Sequence, residues 1–145
     1  AFALAAVPTL RGPLGTRAQV LADGKRISRR LILAVVSNIR LYAVFLQVAP
    51  QALMDDGLLD VACFHGQTLN TALHLLVQII LGRHTRDRSV SYHQARRVEI
   101  RTRIPLPLHA DAEPFGTTPA VIEVVPRALQ LMVPARLPVP LFSES

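Results

Sequence analysis

The chain has 145 residues, half of them hydrophobic and 18% charged, with 16 Lys and Arg against 10 Asp and Glu for a net charge of +6. That is one domain's worth of globular chain, and no apolar run reaches the ~18 residues of a membrane-spanning helix. A lone cysteine, Cys63, excludes an internal disulfide, and the lack of tryptophan and of aromatics set among the arginines argues against nucleic acid as partner.

In chain order, residues 1–7 are apolar and read as the end of a preceding helix, and residues 8–15 as a linker rich in proline and glycine. Residues 18–22 run into Asp23-Gly24, a hairpin signal, with residues 31–37 as the expected return strand. Residues 38–49 continue to Pro50; Asp55-Asp56-Gly57 is a turn, and residues 58–64 form another strand, with Cys63 as a buried free thiol. Thr68 is placed to cap a helix over residues 69–81. That segment is apolar on nearly all sides, so a buried helix is expected, ending at Gly82. Residues 98–101 alternate as a half-exposed strand. Pro105 and Pro107 confine Leu106 and Leu108 to an edge or a connection. Residues 120–125 and 128–133 make two more strands before a proline-rich tail over residues 135–145. Many short strands and one helix predict a mainly β fold, an antiparallel β-sandwich with one buried α-helix, occupying residues 16–134.

Two acidic elements can carry chemistry. The stretch from Pro50 to Asp60 holds Asp55, Asp56 and Asp60 around Gly57, and tight turns of this kind offer carboxylate and carbonyl oxygens to a hard cation. A plain hairpin turn with solvated acids has the same spacing. Asp111-Ala112-Glu113 places two carboxylates two residues apart, on one face if the backbone is extended, where they can act as a general base. An exposed polar loop reads the same way. The histidines His65, His74, His84, His93 and His109 show no metal spacing and read as surface or packing residues; His109 stands out only as a neighbour of Asp111. No glycine-rich phosphate loop is present, so the chain has no evident means of holding ATP alone.

The order of these elements is more informative than any one of them. Asn38, Ala49-Pro50-Gln51-Ala52, the run from Asp55 to Val61, a helix ending in Gly82-Arg83-His84, Asp111-Ala112-Glu113, and Val124 to Leu129 follow in sequence. Over residues 17–134 this resembles the second domain of the soluble bacterial diacylglycerol kinases and their relatives, the sphingosine and ceramide kinases. The resemblance implies a β-sandwich that faces an N-terminal ATP-binding domain of the same parent chain across the active-site cleft. It implies Mg²⁺ held by the Asp56 side chain and the Leu53 and Leu58 carbonyls, and proton abstraction from a lipid hydroxyl by Glu113 and Asp111. ATP would come through the N-terminal domain, and the chain alone would be inactive. The location implied is cytoplasmic, with peripheral membrane contact through apolar and basic surface. The chain departs from the family where Ala43-Val44-Phe45 replaces glycines and where Ala112 replaces a central glycine. A non-catalytic sandwich that binds a lipid or anionic ligand is the alternative.

Overall fold

The computed structural model describes residues 2–5, 15–42, 46–130, 132 and 141–143. Six strands, β1 (Phe2–Ala5), β4 (Leu33–Ser37), β7 (Leu59–Phe64), β8 (Val90–Ala95), β10 (Pro107–Ala110) and β11 (Glu113–Thr117), form one antiparallel sheet in the order β11-β10-β1-β4-β7-β8. Four more, β2 (Ala18–Ala22), β3 (Lys25–Ser28), β9 (Arg97–Thr102) and β12 (Ala120–Glu123), form a second in the order β12-β9-β2-β3. A short hairpin pairs β5 (Leu41–Tyr42) with β6 (Leu46–Gln47).

The sheets pack face to face because each strand alternates. On β2 and β9, Ala18, Val20, Val98 and Ile100 turn inward, while Arg97 and Arg101 point out. On β7 the apolar run is continuous because both faces are covered. Val61 and Cys63 enter the core between the sheets. Ala62 and Phe64 enter a second core beneath the helix α1 (Leu69–Ile80), with Val35 and Leu75. The layers are therefore four-stranded sheet, six-stranded sheet, helix. Cys63 is buried, and burial pushes its thiol up to about 12, as an inert packing cysteine requires.

The helix begins as its sequence predicts. The Thr68 hydroxyl accepts from the Thr71 amide at 3.2 Å, and Gly82 follows the last turn at φ +64°. It is not buried, however. Leu75 is its one buried residue among those described, and Leu69, Leu73, Leu76, Val77 and Ile80 are exposed. A helix on the outer face of a sheet covers one stripe, and its opposite stripe has no neighbour among the described residues.

Other departures come from strand pairing. Residues 2–5 are not a helix end but β1, antiparallel to both β4 and β10; a short apolar run reads equally well either way. They belong to the sandwich rather than to a preceding element. The return strand of the Asp23-Gly24 hairpin is β3, where Lys25 pairs with Ala22; residues 33–37 join the other sheet. Leu108 is buried inside the six-stranded sheet and not at an edge. Pro107 tolerates this because it is the first residue of β10, beyond the last β1 pair, Ala5 with Leu108. Residues 128–130 are not a strand. β8 and β11 were hidden by polar residues, proline and glycine. Residues 8–14, 43–45 and 133–140, which hold most of the expected linker, Ala43-Val44-Phe45 and most of the tail, lie outside the described residues. Of that tail, residues 141–143 are described and lie against the Asp55 turn.

Candidate functional site

The Asp55-Asp56-Gly57 turn sits just before β7. Asp56 Oδ1 accepts from the Leu58 amide at 2.9 Å and Gly57 takes φ +71°, so the turn closes on its own carboxylate. Arg40 donates to the Ala52 carbonyl at 3.0 Å and Asn38 to the Met54 carbonyl at 3.4 Å, clamping the chain on either side of Leu53. Asp55 accepts from the Ser143 amide at 2.7 Å and its hydroxyl at 2.8 Å, and the Met54 amide donates to the Leu141 carbonyl at 2.9 Å. The Ser143 bonds hold the Asp55 carboxyl below its ordinary range.

Asp60, the second residue of β7, is buried. Its Oδ1 accepts from the Tyr92 hydroxyl at 2.6 Å and from Gln94 at 3.3 Å. Burial raises its carboxyl above the ordinary value, the two hydrogen bonds oppose that, and the charge of Asp56 adds to it. Tyr92 in turn is pushed up by burial and by Asp60. Tyr92 and Gln94 were not visible in the sequence, because their role depends on β8 pairing Gln94 with Asp60.

Asp111 and Ala112 form the two-residue turn between β10 and β11, with Ala110 paired to Glu113. Both turn residues have positive φ, +50° and +69°, the signature of a type I′ hairpin. The two carboxylates are thus not on one face of an extended strand: Asp111 is in the turn and Glu113 opens β11. Both are exposed.

Pairing brings the two acidic elements to the same end of the six-stranded sheet. Ala110 lies opposite Ala3, Ala3 opposite Val36, and Val36 opposite Val61. Asp111 therefore leaves the sheet at the level where Ser37 pairs with Asp60. β10 and β7 are separated by three strand spacings, about 14 Å. At this end of the sheet opens a largely apolar cavity of about 710 Å³. Its walls include Asn38 and Leu59 beside the Asp-Gly turn, His109 and Ala110 beside the acidic hairpin, and Phe115 and Val121 from β11 and β12. His109 is thus a wall residue. His84, in contrast, is fully buried, stacked on Phe64 at 6.0 Å and bonded to the Val48 carbonyl at 3.0 Å, as a packing histidine should be.

Among the described residues no three His, Cys, Asp or Glu side chains gather as a metal cluster. A cation at the Asp-Gly turn would rely on one carboxylate and on carbonyls. The turn suits that role: Asp60 Oδ2 and Asn38 Oδ1 are buried with no hydrogen-bond partner among the described residues, and Asp56 and Asp60 repel. A hard cation there would relieve both.

Comparisons with known proteins agree with this fold. The family described as YegS C-terminal NAD kinase beta sandwich-like domain matches residues 1–133. A Shewanella frigidimarina protein named "Probable lipid kinase YegS-like" is 36% identical over 92 residues, 63% of this chain and 29% of that protein. A Mycobacterium tuberculosis protein named "Diacylglycerol kinase" is 34% identical over 115 residues, 79% of this chain and 37% of that protein. A crystal structure of a diacylglycerol kinase from Bacillus anthracis superposes with a TM-score of 0.65 at 16% identity, over 86% of this chain and 46% of that one, a likeness of fold. The chain spans about a third of the length of these curated relatives.

Proposed function

Because the chain belongs to the YegS C-terminal NAD kinase beta sandwich-like domain family, we propose that it is the substrate-side domain of an ATP-dependent lipid kinase. The observation that carries this reading is the apolar cavity at the sheet end where both acidic turns emerge. An acyl chain fits an apolar cavity of about 710 Å³, and its hydroxyl-bearing end would lie at the rim beside Asp111 and Glu113. A lipid alcohol such as diacylglycerol or a sphingoid base is the substrate class.

A lipid hydroxyl is a poor nucleophile, and a positioned carboxylate takes its proton as it attacks the γ-phosphate. Glu113 and Asp111 are assigned that task. Their backbone supports it: a two-residue turn fixes both side chains relative to the sheet. ATP would be held by an N-terminal domain of the same parent chain, facing this end of the sheet. Mg²⁺ would be held by Asp56 and the carbonyls of Leu53 and Leu58, where it would supply the positive charge that fixes the turn beside Asp60. Without the N-terminal domain the chain is expected to be inactive. In a cytoplasmic parent, α1 is the proposed membrane contact. Its stripe of Leu69, Leu73, Leu76, Val77 and Ile80 is exposed, and exposed Arg83, Arg86 and Arg88 follow it. Apolar ridge and cations together suit an anionic bilayer face.

The test is Glu113→Gln in a chain joining this domain to its ATP-binding partner, assayed with ATP, Mg²⁺ and lipid alcohols. Turnover should fall by roughly 10²- to 10⁴-fold with lipid binding retained. Unchanged turnover would remove Glu113 from the mechanism, and absence of phosphate transfer in the unsubstituted protein would leave a lipid-binding module.

A further inference from the structure

The outer face of the four-stranded sheet carries a feature that the lipid-kinase reading does not use. A cleft of about 370 Å³ is lined there by Arg17, Arg26, Arg29, Arg101 and Arg103. The pairing explains the gathering. Ala18 lies opposite Thr102 and Gln19 opposite Arg101. Since Ala18, Val20 and Ile100 turn into the core, residues 17, 101 and 103 leave the opposite face. Arg26 reaches the same cleft from β3, and Arg29 from the turn that follows it. All five are exposed.

Outside the cleft, Arg97 pairs with Glu99 and Glu123; of the five cleft arginines, Arg101 alone pairs with a described acid, Glu99. Arg17, Arg26, Arg29 and Arg103 form no ion pair with any described residue, and no carboxylate is among the described residues lining the cleft. Cations on adjacent strands repel one another, and nothing in the core requires them, since they face away from it. Nearly a third of the chain's 16 Lys and Arg converge on this one concavity, so the net charge of +6 is not evenly spread. Guanidinium groups bind phosphate oxygens through paired N–H donors, and four of these five have no ion pair with a described residue to compete for those donors.

We infer that this cleft is a binding site for a phosphate-bearing anion, either a free phosphate compound or the phosphorylated headgroup of a lipid. It lies on the opposite outer face of the sandwich from α1, and it stands or falls independently of the proposed catalysis.

The experiment follows the arginine side-chain Nε–H resonances of the 145-residue chain by NMR. Inorganic pyrophosphate is titrated in one arm, and small vesicles of phosphatidylcholine with and without phosphatidic acid in the other. Saturable shifts of the cleft arginines with pyrophosphate identify a free phosphate ligand. Shifts with phosphatidic acid vesicles and none with pyrophosphate identify a lipid headgroup. Either supports the site. Arg26→Gln/Arg101→Gln should weaken binding at least tenfold, while Arg96→Gln/Arg127→Gln, exposed residues outside both the cleft and the α1 face with the same change in net charge, should leave it within twofold. Equal losses in the two pairs would show that net charge alone binds the anion and would overturn the site. So would shifts confined to other arginines of the unsubstituted chain, or no saturable shift in either arm, and neither result depends on a variant folding.

Discussion

Two hairpin turns of this molecule share a backbone and differ in chemistry. Asp23-Gly24 joins β2 to β3, and Asp111-Ala112 joins β10 to β11; both have two central residues at positive φ. In the first, glycine takes the second position at no steric cost. The Asp23 carboxylate is consumed by the fold, accepting from the Arg96 and Arg97 amides at 3.0 and 2.9 Å. In the second, Ala112 holds φ +69° against the preference of an L side chain, and Asp111 and Glu113 are exposed at the end of the strand whose His109 and Ala110 line a cavity. A left-handed alanine costs on the order of 1 kcal/mol. The first turn is built for stability; the second carries strain at the place where the chemistry is proposed.

The largest effect expected from this contrast is the loss of turnover in Glu113→Gln. The matching change at the other turn, Asp23→Ala, should leave turnover per folded molecule intact. It should instead destabilise the domain by roughly 1–3 kcal/mol, since two backbone amides lose their acceptor, as read from urea unfolding. A drop in turnover per folded molecule there would erase the distinction between the turns.

Exchanging the second turn residue is the next test. Gly24→Ala should cost about 1 kcal/mol and Ala112→Gly should return about as much, because each moves one left-handed position between permissive and strained. If Ala112→Gly destabilises, the strain is not in that turn.

The smallest effect is in pH dependence, and it separates the two acids of the Asp-Gly turn region. The Asp55 carboxyl is lowered from 3.8 by the Ser143 hydrogen bonds. Its contribution is therefore present above 3.8 and lost as pH falls through the lower folded value. The Asp60 carboxyl is raised from 3.8 by burial. Its contribution has the opposite sign, full below 3.8 and lost as pH rises through the higher folded value. Asp60→Asn should flatten the melting profile just above pH 3.8, and Ser143→Ala should flatten it just below. Profiles unchanged by both would show that neither carboxyl differs between folded and unfolded chain.

What could be read in the sequence was whatever one segment decides alone. The Thr68 cap, the Gly82 stop, the alternation of Val98 and Ile100, and the continuous run into Phe64 all stand where local chemistry put them. The two acidic elements were also legible as motifs. Their meeting at one sheet end was not, since it depends on pairings carried from Ala110 through Ala3 and Val36 to Val61. Nor was the cavity, whose walls come from five strands and the Asn38 turn. The helix was misjudged because hydrophobicity states what a side chain tolerates, and whether a partner covers Leu73 or Ile80 lies outside the segment.

β1 has a mechanical consequence. Within the six-stranded sheet, the acidic hairpin is attached to the strands that hold the Asp-Gly turn through four residues, Phe2–Ala5. They act as the keystone of an arch whose two feet are Asp60 and Asp111. Phe2 pairs with Ser37, the partner of Asp60, and Ala3 pairs with Ala110, the neighbour of Asp111, so within this sheet the placement of one foot relative to the other runs through that single strand.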